Sequence, residues 1–197
     1  MENSAVTAII QYNAGNIRSV LFALERLGVN AIVTDDPGII KSARRVVFPG
    51  VGEASGAMAY LKERGLDSLI ASLTQPVLGI CLGMQLMCRH SAEGNTDCLG
   101  IFDADVQRFS GQAKIPQMGW NTVYDLKGPL FNGVTPNTWQ YFVHSYFAGL
   151  SLHTIAKADY IVPFSAALQR DNFYGVQFHP EKSGEAGSRI LENFIAL

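Results

Sequence analysis

The chain is short of cysteine, of charge and of long apolar runs, and each shortage removes a class of protein. Its three cysteines, Cys81, Cys88 and Cys98, form no C-x-x-C pair and no even framework. That excludes a disulfide-stapled fold and a structural zinc site, and makes reduced thiols the expectation. Charged residues are only 16% of the 197, and 15 Lys and Arg against 17 Asp and Glu leave a net charge of -2. Without a basic excess there is no polyanion footprint, so nucleic acid is not an expected partner. No stretch approaches the roughly 20 apolar residues of a membrane helix. The opening "MENSAVTAII" lacks the basic flank and apolar length of a secretory signal. A cytoplasmic protein that handles small molecules or another protein is the expectation. G-x-x-x-x-G-K-[ST] and H-E-x-x-H are missing as well, so no phosphate loop, catalytic metal or cofactor is expected. The run "GVGEASG" reads G-x-G-x-x-x-G at a third strand, the wrong spacing and place for a dinucleotide fingerprint.

What is present suits one α/β domain over residues 1–197, 48% hydrophobic and long enough to bury a core. Ala5 to Ile10 reads as a strand. Ile17, Val20, Leu21, Leu24 and Leu27 then recur at helical spacing until Gly28. Ala31 to Thr34, "RRVVFPG" and Val77 to Ile80 continue the strands, with a helix over Glu53 to Arg64. This alternation predicts a mostly parallel sheet covered on both faces, a three-layer arrangement. After residue 100 the segments "GIFDADVQRF", "WQYFVHSYF", "TIAKADY" and "SAALQRDNFYGVQF" read as strands joined by turns, an antiparallel portion. A helix over Glu185 to Ala196 closes the chain.

The chemistry concentrates in "VLGICLGMQL", where an apolar strand meets a helical pattern (Leu82, Gln85, Leu86, Arg89) and Cys81 falls at the turn between two glycines. A sulfur there projects from the carboxyl end of a strand toward the positive end of the next helix, which favours thiolate. A free cysteine, with a pKa of about 8.5, needs such help or a base. Of four histidines, His179 in "GVQFHPEKS" has Glu181 two residues on. In an extended segment both side chains share one side, so the carboxylate can hold one ring nitrogen while the other faces a thiol. His144 has no carboxylate near it in sequence and fits a core histidine as well as a site residue.

The order Cys, His, Glu with G-x-C-x-G and H-P-E intact resembles the class I (triad) glutamine amidotransferases over nearly the whole chain. "YNAGNIRSV", "PGVG", "PQMGWN" and "YFVHSY" narrow the resemblance to the branch that serves imidazole glycerol phosphate synthase. The resemblance implies that Cys81 attacks glutamine to form a thioester, that His179 moves the protons and that Glu181 orients it. It implies an oxyanion hole from the Leu82 N–H and the loop holding Gly50 and Val51, and rotation of the Gly50–Val51 peptide to complete the hole is our further expectation. It implies substrate contacts at Gly52, Gln85, His144, Ser145 and Tyr146. It also implies a partner, a (β/α)8-barrel cyclase that receives the ammonia, met through Asn16, Met118, Trp120, Asn121, Tyr141 and Lys182. Where family members carry Asp-Tyr-Gly-x-Gly-Asn, this chain has Gln11-Tyr12-Asn13-Ala14-Gly15-Asn16, which leaves Gln11 without an assigned role. The alternatives are another triad amidotransferase, a paralogue in surface-sugar synthesis, a stand-alone cysteine hydrolase and an inactive binding protein. The last would need the triad broken, and it is intact.

Overall fold

A computed structural model describes residues 6–13 and 15–197; Ala5, where the sequence pattern starts the first strand, and Ala14 lie outside them. The first half runs β1 (Thr7–Ile10), α1 (Ile17–Arg26), β2 (Ala31–Thr34), α2 (Pro37–Ser42), β3 (Arg45–Phe48), α3 (Ala54–Glu63), α4 (Leu66–Ala71), β4 (Val77–Ile80) and α5 (Leu82–Leu86). The second continues with β5 (His90–Ser91), β6 (Thr96–Asp97), β7 (Asp105–Arg108), β8 (Gln117–Val123), β9 (Thr138–His144), β10 (Tyr146–Ala148), β11 (Thr154–Tyr160), β12 (Val162–Arg170), β13 (Phe173–Val176) and α6 (Gly184–Ala196).

Seven strands form the central sheet in the order β11-β12-β13-β4-β3-β1-β2. β1, β2, β3 and β4 are parallel, and the four-residue runs of β1, β3 and β4, buried on both faces, read as largely apolar sequence for that reason, whereas β2 at the edge is partly exposed. β13 joins β4 in parallel, so the antiparallel portion begins one strand later than the sequence suggests, at β12. The β13–β4 pairing brings the two ends of the chemistry together: Val176 lies beside Ile80, one residue before Cys81 and three before His179.

Two apolar layers cover the sheet. Phe48, Leu61, Met84 and Phe102 belong to one, and Leu24, Phe142, Phe164 and Phe194 to the other. A four-stranded sheet, β10-β7-β5-β6, and the β8–β9 hairpin stand apart from the central sheet. Among the described residues no helix is long and apolar enough to cross a membrane.

Four elements depart from the sequence reading. β8 carries no strand pattern because Gly119 and Asn121 interrupt it; pairing with β9 across seven residues overrides them. α2 and α4, at six residues each, are too short for periodicity to register. α5 ends at Leu86 and does not reach Arg89, whose guanidinium turns outward to Asp103 and Asp105.

Candidate active site

Cys81 stands at a strained elbow, with φ 53° and ψ -109°, between β4 and α5. Non-glycine residues reach such angles only when the surroundings hold them there, and such strain clusters at functional sites. The surroundings here are the flanking glycines. A Cβ on Gly83 would lie 1.8 Å from the Phe48 carbonyl oxygen, and one on Gly79 would lie 2.8 Å from the Met84 nitrogen. Only glycines let α5 start against β3 and β4 at this range, which explains the residues around the cysteine. Because α5 has five residues, the helix field expected at the sulfur comes from little more than one turn.

His179 follows β13 in extended conformation, and Pro180–Lys182 then form a 3-10 turn. The side-by-side placement expected from an extended His-x-Glu is therefore replaced by a fold-back. Pro180 suits the first position of the turn, and Ser183 closes it by donating its hydroxyl to the His179 carbonyl at 2.6 Å. The result serves the same end. His179 Nδ1 donates to Glu181 Oε1 at 2.8 Å, with both side chains fully buried. Asn16, left-handed at φ 70°, donates Nδ2 to the same oxygen at 2.5 Å. Its side chain thus braces the carboxylate, in addition to the loop position the sequence suggests.

Burial opposes charge on His179, but Cys81 and Glu181 outweigh it and raise its pKa to about 10. Nε2 itself has no aligned hydrogen bond in this conformation. Burial pushes the thiols of the other cysteines up, Cys98 to about 11 and Cys88 further, which leaves both inert.

The sulfur opens on a cavity of about 310 Å³. Its lining brings together Val51, Gly52, Cys81, Leu82, Gln85, His144, Ser145 and Tyr146, which includes every residue expected to bind substrate. Glu93 also lines it, and the sequence gives no sign of this, since Glu93 lies in a short turn after β5 with no motif around it. Its Oε2 accepts from the Ala54 nitrogen at 2.9 Å, which fixes the carboxylate. His144 sits among Phe109, Phe142 and Phe164. Burial lowers its pKa to about 4, so the ring is neutral. Nδ1–H donates to the Tyr146 carbonyl at 2.7 Å, and Nε2 lies 2.9 Å from the Gln117 side chain. A core histidine and a site residue are here the same thing: its ring is packed inside while its bond shapes the cavity wall.

The PGVG segment holds a resting conformation. Tyr12 donates its hydroxyl to the Pro49 carbonyl at 2.7 Å, Leu82 N–H donates to the Gly50 carbonyl at 3.2 Å, and Gly15 N–H donates to the Val51 carbonyl at 3.2 Å. With the Gly50 carbonyl turned toward Leu82, the trans peptide sends the Val51 N–H the opposite way.

The β8–β9 hairpin borders the cavity through Val143. The same hairpin carries Met118 (65% exposed), Trp120 (54%) and Trp139 (58%). Trp120 packs edge-on against Tyr141, and Lys182 lies 5.8 Å from the centre of the Tyr141 ring. Trp139 belongs to no motif, and only the fold marks it. Asn121 donates to the Asp159 carbonyl at 3.0 Å and ties the hairpin to β11.

Comparison with known proteins agrees with this geometry. A protein from Bacteroides fragilis named imidazole glycerol phosphate synthase subunit HisH is 62% identical over 193 residues, covering 96% of this chain and 98% of that protein. One of the same name from Haemophilus influenzae is 49% identical over 189 residues, covering 95% of each. A solved structure of a glutamine amidotransferase from Thermotoga maritima shares the fold at TM-score 0.64 and 17% identity, over 99% of this chain and 84% of that one. The family profile described as glutamine amidotransferase class-I matches residues 8–197, and the chain belongs to that family.

Proposed function

We propose that the chain is the glutaminase subunit of an imidazole glycerol phosphate synthase. It hydrolyses glutamine to glutamate and passes ammonia to a (β/α)8-barrel cyclase, which makes imidazole glycerol phosphate and aminoimidazole carboxamide ribotide in histidine biosynthesis. The observation that carries the reading is Cys81 in the wall of a cavity whose mouth continues into an exposed aromatic face, with the buried His179–Glu181 pair within electrostatic reach of it. The relatives' shared name supplies the identity of the synthase.

In this reading the Cys81 thiolate attacks the side-chain amide carbon of glutamine. The imidazolium of His179 gives its Nε2 proton to the leaving nitrogen, and ammonia departs from a γ-glutamyl thioester. The neutral ring then takes a proton from water, whose attack releases glutamate and restores the thiolate. Glu181, held by Asn16, keeps the ring oriented and balances its charge. Glu93 is suited to the α-ammonium of the substrate, and the backbone from His144 to Tyr146 with Gly52 and Gln85 to the rest of its polar end.

The developing oxyanion needs two donors, and in the resting conformation one is occupied and the other faces away. Rotation of the Gly50–Val51 peptide frees Leu82 N–H and turns Val51 N–H inward in one movement. A partner seated on the hairpin lies close enough to drive it. The apolar face suits such a partner, because aromatic anchors dominate protein interfaces.

The test is glutamate release by the purified chain alone, then with a barrel cyclase from the same cell and its ribulosyl-phosphate ligand. Low activity alone with strong stimulation by both supports the proposal. Strong activity alone, or none with that cyclase, overturns it in favour of a stand-alone hydrolase or another synthase.

A further inference from the structure

A buried amide relay joins the substrate side of the cavity to the nucleophile. Gln85 Nε2 donates to the Tyr146 carbonyl at 2.8 Å and to Gln177 Oε1 at 2.9 Å. Gln177 Nε2 in turn lies 3.6 Å from Cys81 Sγ and donates to it. Gln177 is fully buried, and Gln85 and Cys81 are exposed by 4% and 5%.

The direction of this relay follows from one fixed point. A main-chain carbonyl only accepts, so the end of Gln85 facing Tyr146 is its NH2. That same NH2 faces Gln177, so Gln177 presents its oxygen there. The other end of the Gln177 amide is then its NH2, and it points at the sulfur. The carbonyl of Val143, 3.9 Å from Sγ on another side, is an acceptor and opposes negative charge there.

We propose that Gln177 is a further functional residue of this site, a donor to the Cys81 sulfur that favours its thiolate and is aimed by Gln85. The inference rests on the reading of Cys81 as nucleophile. Gln177 shares β13's run into His179, so the same chain segment supplies the sulfur with a fixed donor and, two residues later, with its base. The relay also ties the nucleophile to substrate recognition, because Gln85 lines the cavity.

The test compares wild type, Q177M and Q177E. Methionine keeps the length without a donor, and glutamate places a second oxygen where the NH2 stood. Alkylation of Cys81 by iodoacetamide is followed against pH by mass spectrometry of its peptide, on the chain without glutamine or cyclase. The expected result is a profile displaced to higher pH by about one unit in Q177M and further in Q177E, since a lost charge-assisted hydrogen bond is worth roughly a tenfold change. In the cyclase complex kcat falls about tenfold in Q177M with KM within about twofold. A merely structural role would rank the variants by melting temperature and leave the alkylation profile in place. Unchanged profiles in both variants overturn the proposal, and if one variant does not fold the other gives the same reading. Failure of the function proposal looks different: wild type would then show no Cys81-dependent glutaminase activity at all.

Discussion

Leu82 and Gly50 face each other so that the N–H of the first donates to the carbonyl of the second at 3.2 Å, across the place where an oxyanion would sit. In the proposed mechanism Leu82 N–H is the donor that meets the reaction, and here it is engaged by the protein itself. On that proposal the site idles until the Gly50–Val51 peptide turns.

Gly50→Ala tests the space around that peptide. Its Cβ would lie 2.0 Å from the Tyr12 hydroxyl and 3.2 Å from Leu82 Cβ. Stimulated glutaminase activity is expected to fall by about a hundredfold, the scale of losing one oxyanion donor. Adding Tyr12→Phe removes the nearest obstructing atom and should recover part of the loss. Full activity in Gly50→Ala would mean that the peptide does not need this room.

Cys81→Ala should abolish glutamate release, by about a thousandfold or more, while the chain still melts cooperatively and binds its partner. The alanine removes only the sulfur, and the contacts of Gly79 and Gly83 that shape the elbow remain. Residual turnover near the wild-type rate would remove Cys81 from the mechanism.

Glu93→Gln keeps an oxygen for the Ala54 nitrogen but removes the charge offered to the substrate ammonium. KM for glutamine should rise about tenfold with kcat little changed, the signature of uniform binding lost. A fall in kcat at constant KM would assign Glu93 to another task.

Trp120→Ala should weaken cyclase binding by about 2 kcal/mol, roughly thirtyfold in Kd, and leave the unstimulated activity as it was. Isothermal titration with the barrel protein reads this directly. An unchanged Kd would place the interface elsewhere than on the hairpin face.

Acid stability carries the mark of His144. Its folded pKa of about 4 lies below the unfolded value of 6.5, so the unfolded chain binds the extra proton first. The neutral ring's contribution is whole above pH 6.5 and is lost as pH falls toward 4, by about 3 kcal/mol in all. His179, with its pKa raised to about 10, works in the other window: its contribution is whole below 6.5 and fades as pH rises through 10. Urea unfolding of His144→Asn should therefore show a shallower decline between pH 6.5 and 4 than wild type. Equal slopes would count against a neutral, buried His144.

The parallel half of the sheet is legible in the residues alone, because β1, β3 and β4 are buried on both faces and so are written as unbroken apolar runs between turn residues. The elbow of Cys81 between glycines is legible too, a local arrangement with a local signature, and H-P-E marks His179 and Glu181 as a pair, although the segment expected there is extended and the structure has a 3-10 turn. Folding alone settles the relationships whose partners are far apart in the chain. Pairing of β13 with β4 brings His179 to Cys81. The Asn16 bond to Glu181 spans 165 positions, and Gln177 reaches Cys81 across 96. Glu93 and Trp139 acquire their places only from how a short turn and a hairpin face are packed. A side chain's type and its neighbours in sequence state what it can do. Which cavity it enters, which carbonyl aims it and whether the Leu82 N–H is free or engaged depend on contacts that no periodicity records.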